Sequence, residues 1–268
     1  MNLSRNKAAS YESWPNDSLS LNYQMQYDLA SGKPFAAEAL LRENGRRGNK
    51  APAELIAKAE QDGTISLITL WVVEQVLRDF SALRRRYGIE RVAVNVSAVD
   101  MSTAGFVTQV EKRLKQSSLN GSCLELEITE NLPLVNLRQV LDNIGEARAL
   151  GMRVVLDDFG KGFTSMSALT QLPVDGIKLD KMFSLNLMQP KYYAIAESLV
   201  SLCEKLDISV LIEGIEDRIA RDSALSLGCG LGQGYYLHNP ESKADLTRIN
   251  AKEKGLIIPL FKRKNKRA

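Results

Sequence analysis

Glu38, Asn95, Glu127, the pair Asp157 and Asp158, Lys178, Glu213 and Gln233 share a setting, each closing or following a short apolar run at the point where a turn is expected. Singly, each has an ordinary explanation. A Glu at a strand end forms surface ion pairs, Asn95-Val96-Ser97 caps a following helix, and Asp157-Asp158 before Phe159-Gly160 is turn chemistry. Together they deliver an acid, an amide or a lysine from run after run, which chance accounts for poorly. Carboxylates crowded at one rim repel one another unless cations neutralise them, and oxygen donors with one amide carbonyl suit hard ions such as Mg²⁺ or Mn²⁺. Two such ions ~3.5–4 Å apart are the usual clamp for hydrolysing a phosphodiester.

Other chemistries find little support. Cys123, Cys203 and Cys229 are widely spaced and form no CxxC pair, so they read as small buried hydrophobes rather than a disulfide framework or zinc site. His238 is the sole histidine, too few for a histidine-rich metal centre, and no GxSxG segment offers a serine nucleophile. The net charge of +3 is too small to imply nucleic-acid binding.

The elements that must position these residues repeat a simple grammar, a short apolar run followed by a stretch with helical spacing. The runs are 91–96 (RVAVNV), 124–128 (LELEI), 153–156 (RVVL), 174–179 (VDGIKL), 208–212 (ISVLI) and 234–237 (GYYL). Between them, Leu137, Leu141 and Ile144 fall on one helical face, as do Ile195, Leu199, Leu202, Cys203 and Leu206. Strands alternating with helices predict a parallel sheet, and at least six such units favour a TIM-like (β/α) barrel. An open doubly wound sheet is the alternative, but no GxGxxG opens a helix. The first unit is irregular: 21–27 and 35–42 flank Ser31-Gly32-Lys33-Pro34, which predicts a β-hairpin.

Hydrophobic residues make up 44% of the 268 and charged ones 25%, ordinary values for a globular chain with no membrane-length apolar run. The polar N-terminus lacks the apolar core of a secretory signal, so a cytoplasmic location is expected. Residues 1–20 read as a flexible extension, 21–250 as one domain, and 251–268 as a basic tail. In that tail GLIIPLFKRKNKRA joins an apolar patch to a basic cluster, which marks either a weak membrane or anionic-partner contact or a solvated end.

Seven ordered pieces then carry a resemblance: EALLR from Glu38, NVS from Asn95, EITE from Glu127, DDFGKG from Asp157, KLD from Lys178, EGIE from Glu213 and QGY from Gln233. In order and spacing they resemble the EAL-domain cyclic di-GMP phosphodiesterases. The resemblance implies hydrolysis of cyclic di-GMP to linear pGpG with two ions, Mg²⁺ or Mn²⁺, held by Glu38, Asn95, Glu127, Asp157, Asp158 and Glu213. It implies that Lys178 acts with Glu38 and Asp157 in catalysis, Lys178 orienting the attacking water. Gln24, Arg42, Asp180, Glu216 and Gln233 are implied to bind substrate, Glu130 to anchor a mobile loop at 158–167, and two copies to form a homodimer.

The sequence departs from the family pattern at Glu43, where an aromatic is usual, at Ala37, and in the loop at Lys161 and Phe163-Thr164. With no room visible for a sensory or cyclase module, a stand-alone signalling enzyme is expected. The competing reading is a catalytically silent EAL protein that binds cyclic di-GMP or a protein partner. Silent members typically lose metal ligands, and none is missing here.

Overall fold

The computed structural model describes residues 18–44, 51–129, 136–161 and 165–247. The chain opens with the predicted hairpin, β1 (Leu19–Asp28) and β2 (Lys33–Glu43), turned by Gly32 at φ 68°. There follow α1 (Ala53–Gln61), α2 (Ile65–Tyr87), β3 (Arg91–Val96), α3 (Ala98–Met101), α4 (Phe106–Ser117), β4 (Leu124–Thr129) and α5 (Leu137–Ala149). The second half holds β5 (Arg153–Phe159), α6 (Ser165–Gln171), β6 (Gly176–Leu179), α7 (Lys181–Ser184), α8 (Pro190–Lys205), β7 (Ser209–Ile212), α9 (Arg218–Ser226), β8 (Leu231–Gly232), β9 (Glu241–Ser242) and α10 (Lys243–Thr247). Strands β2 to β8 run parallel in chain order, and β1 pairs antiparallel with both β2 and β8. The result is a closed barrel of eight strands with helices around it, the expected fold. β2 holds one edge of β1, and the other is shared by β8, at Tyr27 and Asp28, and β9, at Asn22 and Tyr23.

Period-two alternation decides what the barrel encloses. In β4, Leu124, Leu126 and Ile128 are fully buried on the face toward the helices, leaving Glu125 and Glu127 for the interior. β3 repeats the pattern with Val92, Val94 and Val96 outward, and β1 with Leu21, Tyr23 and Met25 outward and Gln24 and Gln26 inward. The covering layer follows the helical period: α2 buries Ile65, Ile68, Val72, Val73, Val76 and Phe80, then stops at Gly88, whose φ of 71° closes the helix.

Inside the barrel at the N-terminal ends of β3, β4 and β5 lies a charged plug. Buried Glu125 lies 3.2 Å from Arg91 Nε and 3.0 Å from Arg153 Nε. Arg153 Nη2 also donates to Ser209 Oγ (2.7 Å) and the Asp175 carbonyl (3.0 Å).

Three expectations need correction. Segment 234–237 is a turn, the eighth strand being Leu231–Gly232. Gly234 packs so tightly on Ile215 that an added Cβ would lie 2.2 Å from its carbonyl oxygen, a close approach that turn geometry provides and an extended strand does not. On α8 the buried residues are Ala196, Val200 and Cys203, while Ile195 and Leu206, expected on the core face, are 43% and 50% exposed. The small residues at 196 and 203 let the helix sit close to the barrel, which rotates the larger side chains outward. Ile144 on α5 is fully buried as expected. Of the extension read over 1–20, Leu19 and Ser20 begin β1 instead, while residues 1–17, the loop acid Glu130 and the basic tail lie outside the described residues.

Candidate active site

At the opposite end of the interior the inward positions of six strands meet. β6 places Lys178, 1% exposed, at the centre. Its Nζ lies 2.9 Å from Glu213 Oε1, 3.0 Å from Glu127 Oε2, 3.2 Å from Asp157 Oδ1 and 3.3 Å from Glu38 Oε2. Amides brace the carboxylates from the sides. Asn95 Nδ2 donates to Glu38 Oε1 (2.8 Å), Gln233 Nε2 to Glu38 Oε2 (2.6 Å) and to Gln24 Oε1 (3.1 Å), and Gln26 Nε2 to Glu127 Oε1 (3.4 Å).

One ammonium among four ionised carboxylates leaves three negative charges unmatched in a largely buried pocket. Protonation equilibria record the imbalance. Burial, together with the charges of Glu38, Asp157 and Glu125, pushes Glu127 well above the carboxylate range despite Lys178. Burial and the Glu38 charge raise Asp157, and burial with Asp157 and Glu38 lifts Glu213 to about 7. For Glu38 burial acts upward too, but Lys178 and the bonds from Asn95 and Gln233 outweigh it and hold the carboxyl low. Burial opposes the charge on Lys178, yet Asp157, Glu127, Glu38 and Glu213 keep it protonated.

The donor set fits hard divalent cations: all oxygen, strongly negative, and with Asp157 Oδ1 buried and accepting no hydrogen bond although the ammonium is 3.2 Å away. As built, the carboxylates close on Lys178, and among the described residues no three acidic, histidine or cysteine side chains form a ready cage. Ion entry therefore requires these oxygens to turn from the ammonium.

The structure thus brings together Glu38, Asn95, Glu127, Asp157, Lys178, Glu213, Gln24 and Gln233. It does not bring Asp158, whose backbone turns at φ 55° and whose Oδ2 faces Lys161 Nζ at 3.3 Å. Asp180 caps α7, accepting from Met182 N–H at 2.7 Å, work that spacing alone did not reveal. Arg42 donates to its own neighbour's carbonyl, at Leu41, and lines a hollow of about 340 Å³ with Leu41, Ile56, Ile68 and Asn95. Glu216 and Gln233 line another, of about 170 Å³, with Gln24, Lys181, Glu213 and Tyr235.

Two residues were missed. Gln26, fully buried, had a signal in the alternation Asn22, Gln24, Gln26 against Tyr23, Met25, Tyr27. His238 had none. Its Nδ1 accepts from Met25 N–H (3.4 Å) in the gap between β8 and β9, its carbonyl accepts from Gln24 Nε2 (2.9 Å), and burial lowers its pKa to about 4.

A family model, the EAL domain, matches residues 8–240. The chain belongs to the EAL-domain family. The Pseudomonas aeruginosa proteins named cyclic di-GMP phosphodiesterase PA2567 and cyclic di-GMP phosphodiesterase NbdA are each 33% identical to it, over 82% and 84% of this chain. This EAL domain spans 38% and 29% of their lengths. The solved structure of the PaMucR phosphodiesterase in complex with c-di-GMP superposes with a TM-score of 0.78 at 30% identity, covering 85% of this chain and 94% of that one. Among the described residues no helix of this EAL protein is long and apolar enough to cross a membrane.

Proposed function

We propose that this EAL domain is a hydrolase that opens cyclic di-GMP to linear pGpG with two bound divalent ions, Mg²⁺ or Mn²⁺. The observation that carries the reading is the convergence of Glu38, Glu127, Asp157 and Glu213 on buried Lys178. Those four, with Asn95 and Asp158, would hold the ions. Bound there, the ions would supply a water of lowered pKa and offset negative charge building on the phosphate. Lys178, held protonated by its neighbours, positions that water by hydrogen bonding and offsets charge on the phosphate oxygens. Gln233, Asn95 and Gln26 hydrogen-bond the carboxylates of Glu38 and Glu127 and would limit the rotations open to them as the ions enter.

The two hollows support the substrate. One lies beside Asn95 and Arg42, the other beside Glu213 and Gln233. A dinucleotide with its scissile phosphate on the carboxylate cluster sends one nucleoside toward each, with Arg42 reaching a phosphate. Met166, Leu185, Met188 and Ile195 are exposed apolar side chains on the consecutive segments α6 to α8, and there we place the homodimer contact.

The test is turnover. Purified chain with Mn²⁺ is expected to convert cyclic di-GMP to pGpG, resolved by chromatography, and to stop on chelation. Tight cyclic di-GMP binding without product under saturating Mn²⁺ and Mg²⁺ replaces the enzyme with a receptor.

A further inference from the structure

Asp158 is the expected metal-binding carboxylate that stands apart from the cluster, and the structure gives the reason. Its φ of 55° is a left-handed conformation that disfavours residues carrying a Cβ. The turn it begins is closed twice. Lys161 N–H donates to the Asp158 carbonyl at 3.2 Å, and Lys161 Nζ lies 3.3 Å from Asp158 Oδ2. Gly160 between them, at φ 95°, lies so close to the Phe183 ring that a Cβ would come within 2.5 Å of Cε2, which pins the turn against α7.

We propose that Lys161 is a tethered competitor of the divalent cation, its ammonium holding the Asp158 carboxylate that an incoming ion needs, so that this residue sets the affinity of the weaker metal position. The proposal rests on the two-ion reading above. The pair is exposed, 63% at Lys161 and 38% at Asp158, and exposed pairs are weak. Lys161 therefore grades affinity rather than switching it. It is also one of the positions where this chain departs from the family pattern, so the effect belongs to this protein rather than to every EAL domain. Divalent ions displace an ammonium readily because they carry twice its charge onto the same oxygen at shorter range. The turn need not unfold for that exchange, since the backbone bond from Lys161 to Asp158 is independent of the side-chain contact.

The experiment is a Mn²⁺ titration of the whole purified chain, counting free Mn²⁺ by its electron paramagnetic resonance signal. It compares the wild type, Lys161→Gln, Lys161→Arg and Lys181→Gln. Lys181 is a control because it is exposed on the same rim, beside Glu213, without a contact to Asp158. Two bound ions in the wild type, with the weaker Kd falling about two- to five-fold in Lys161→Gln and unchanged in the other two variants, is the expected result. An unchanged Kd in Lys161→Gln overturns the proposal. So does an equal gain in Lys181→Gln, which reduces the effect to the general field of the rim. A wild type that binds fewer than two Mn²⁺ sinks the two-ion reading itself, and the competitor with it. Thermal melts of the metal-free variants check that each is folded.

Discussion

The barrel encloses two charged clusters, one at each end, and they are built on opposite principles. At the N-terminal end Glu125 sits between Arg91 and Arg153, with Ser209 and the Asp175 carbonyl accepting from Arg153 Nη2. There one carboxylate lies within ion-pair distance of two guanidiniums. At the C-terminal end four carboxylates share one ammonium, and burial drives Glu127, Asp157 and Glu213 toward protonation. The floor's surplus guanidinium is partly exposed to solvent, whereas the rim's surplus carboxylates are largely buried, an excess that bound cations would offset. The contrast is why the proposed chemistry is placed at the rim, where the unbalanced charge is both larger and more deeply buried.

The largest effect that sharpens this contrast is at Glu38. Glu38→Ala removes the oxygen pair that Asn95, Gln233 and Lys178 all address, and turnover of cyclic di-GMP with saturating Mn²⁺ is expected to fall below detection while circular dichroism stays native. Turnover near the wild-type rate breaks the assignment of the rim as the active site. At the floor the reverse holds. Glu125→Ala leaves two half-buried guanidiniums without their carboxylate and is expected to lower unfolding free energy by about 1.5–3 kcal/mol, with kcat of the folded fraction unchanged. Urea melts and assays of the same sample distinguish the outcomes, and a floor variant that loses kcat but not stability would erase the distinction between the ends.

Next comes pH. Glu213 has its folded pKa raised from 4.5 to about 7, so its contribution to stability is fully present below the unfolded value and is lost as pH rises through the folded one. Chelated, metal-free protein should therefore lose stability between about pH 4.5 and 7, by at most roughly 3 kcal/mol from this group. Glu213→Gln should flatten that slope in melts run across the range, and an unaltered slope removes Glu213 as its source. The smallest effect is at Arg42, which lies at the edge of the rim. Arg42→Ala is expected to raise KM about five- to ten-fold with kcat changed less than about two-fold, the signature of a contact made equally in ground and transition states. A loss confined to kcat would move Arg42 into the chemistry.

How much of this was legible beforehand depended on periodicity. Leu124, Leu126 and Ile128 point one way and so force Glu127 the other, and the same alternation placed Asn95, Asp157 and Lys178 without knowledge of the fold's details. Where the period is broken, spacing gives no guide to where a side chain goes. Asp158 follows Asp157 into a left-handed turn, and Asp180 spends a carboxylate oxygen on a helix cap. β8 is two residues long, too short for any alternation to register, so the neighbouring GYYL drew the assignment instead. His238 enters the site's frame through its carbonyl and through a ring nitrogen facing a backbone N–H, contacts made across more than two hundred positions that no local pattern encodes.

That separation bears on how the molecule comes into being. β1 is held on one side by β2 within a few residues, but its other edge waits for β8, β9 and His238, and Gln24 meets Gln233 across 209 positions. During synthesis at roughly 5–20 residues per second, that edge stays open for on the order of ten to forty seconds after β1 leaves the ribosome. Throughout that interval the hairpin offers an unpaired strand with Tyr23 and Met25 uncovered, a template for pairing with other chains. The nascent chain is thus most vulnerable to aggregation at β1, and the carboxylate rim is the last part of the barrel to be assembled.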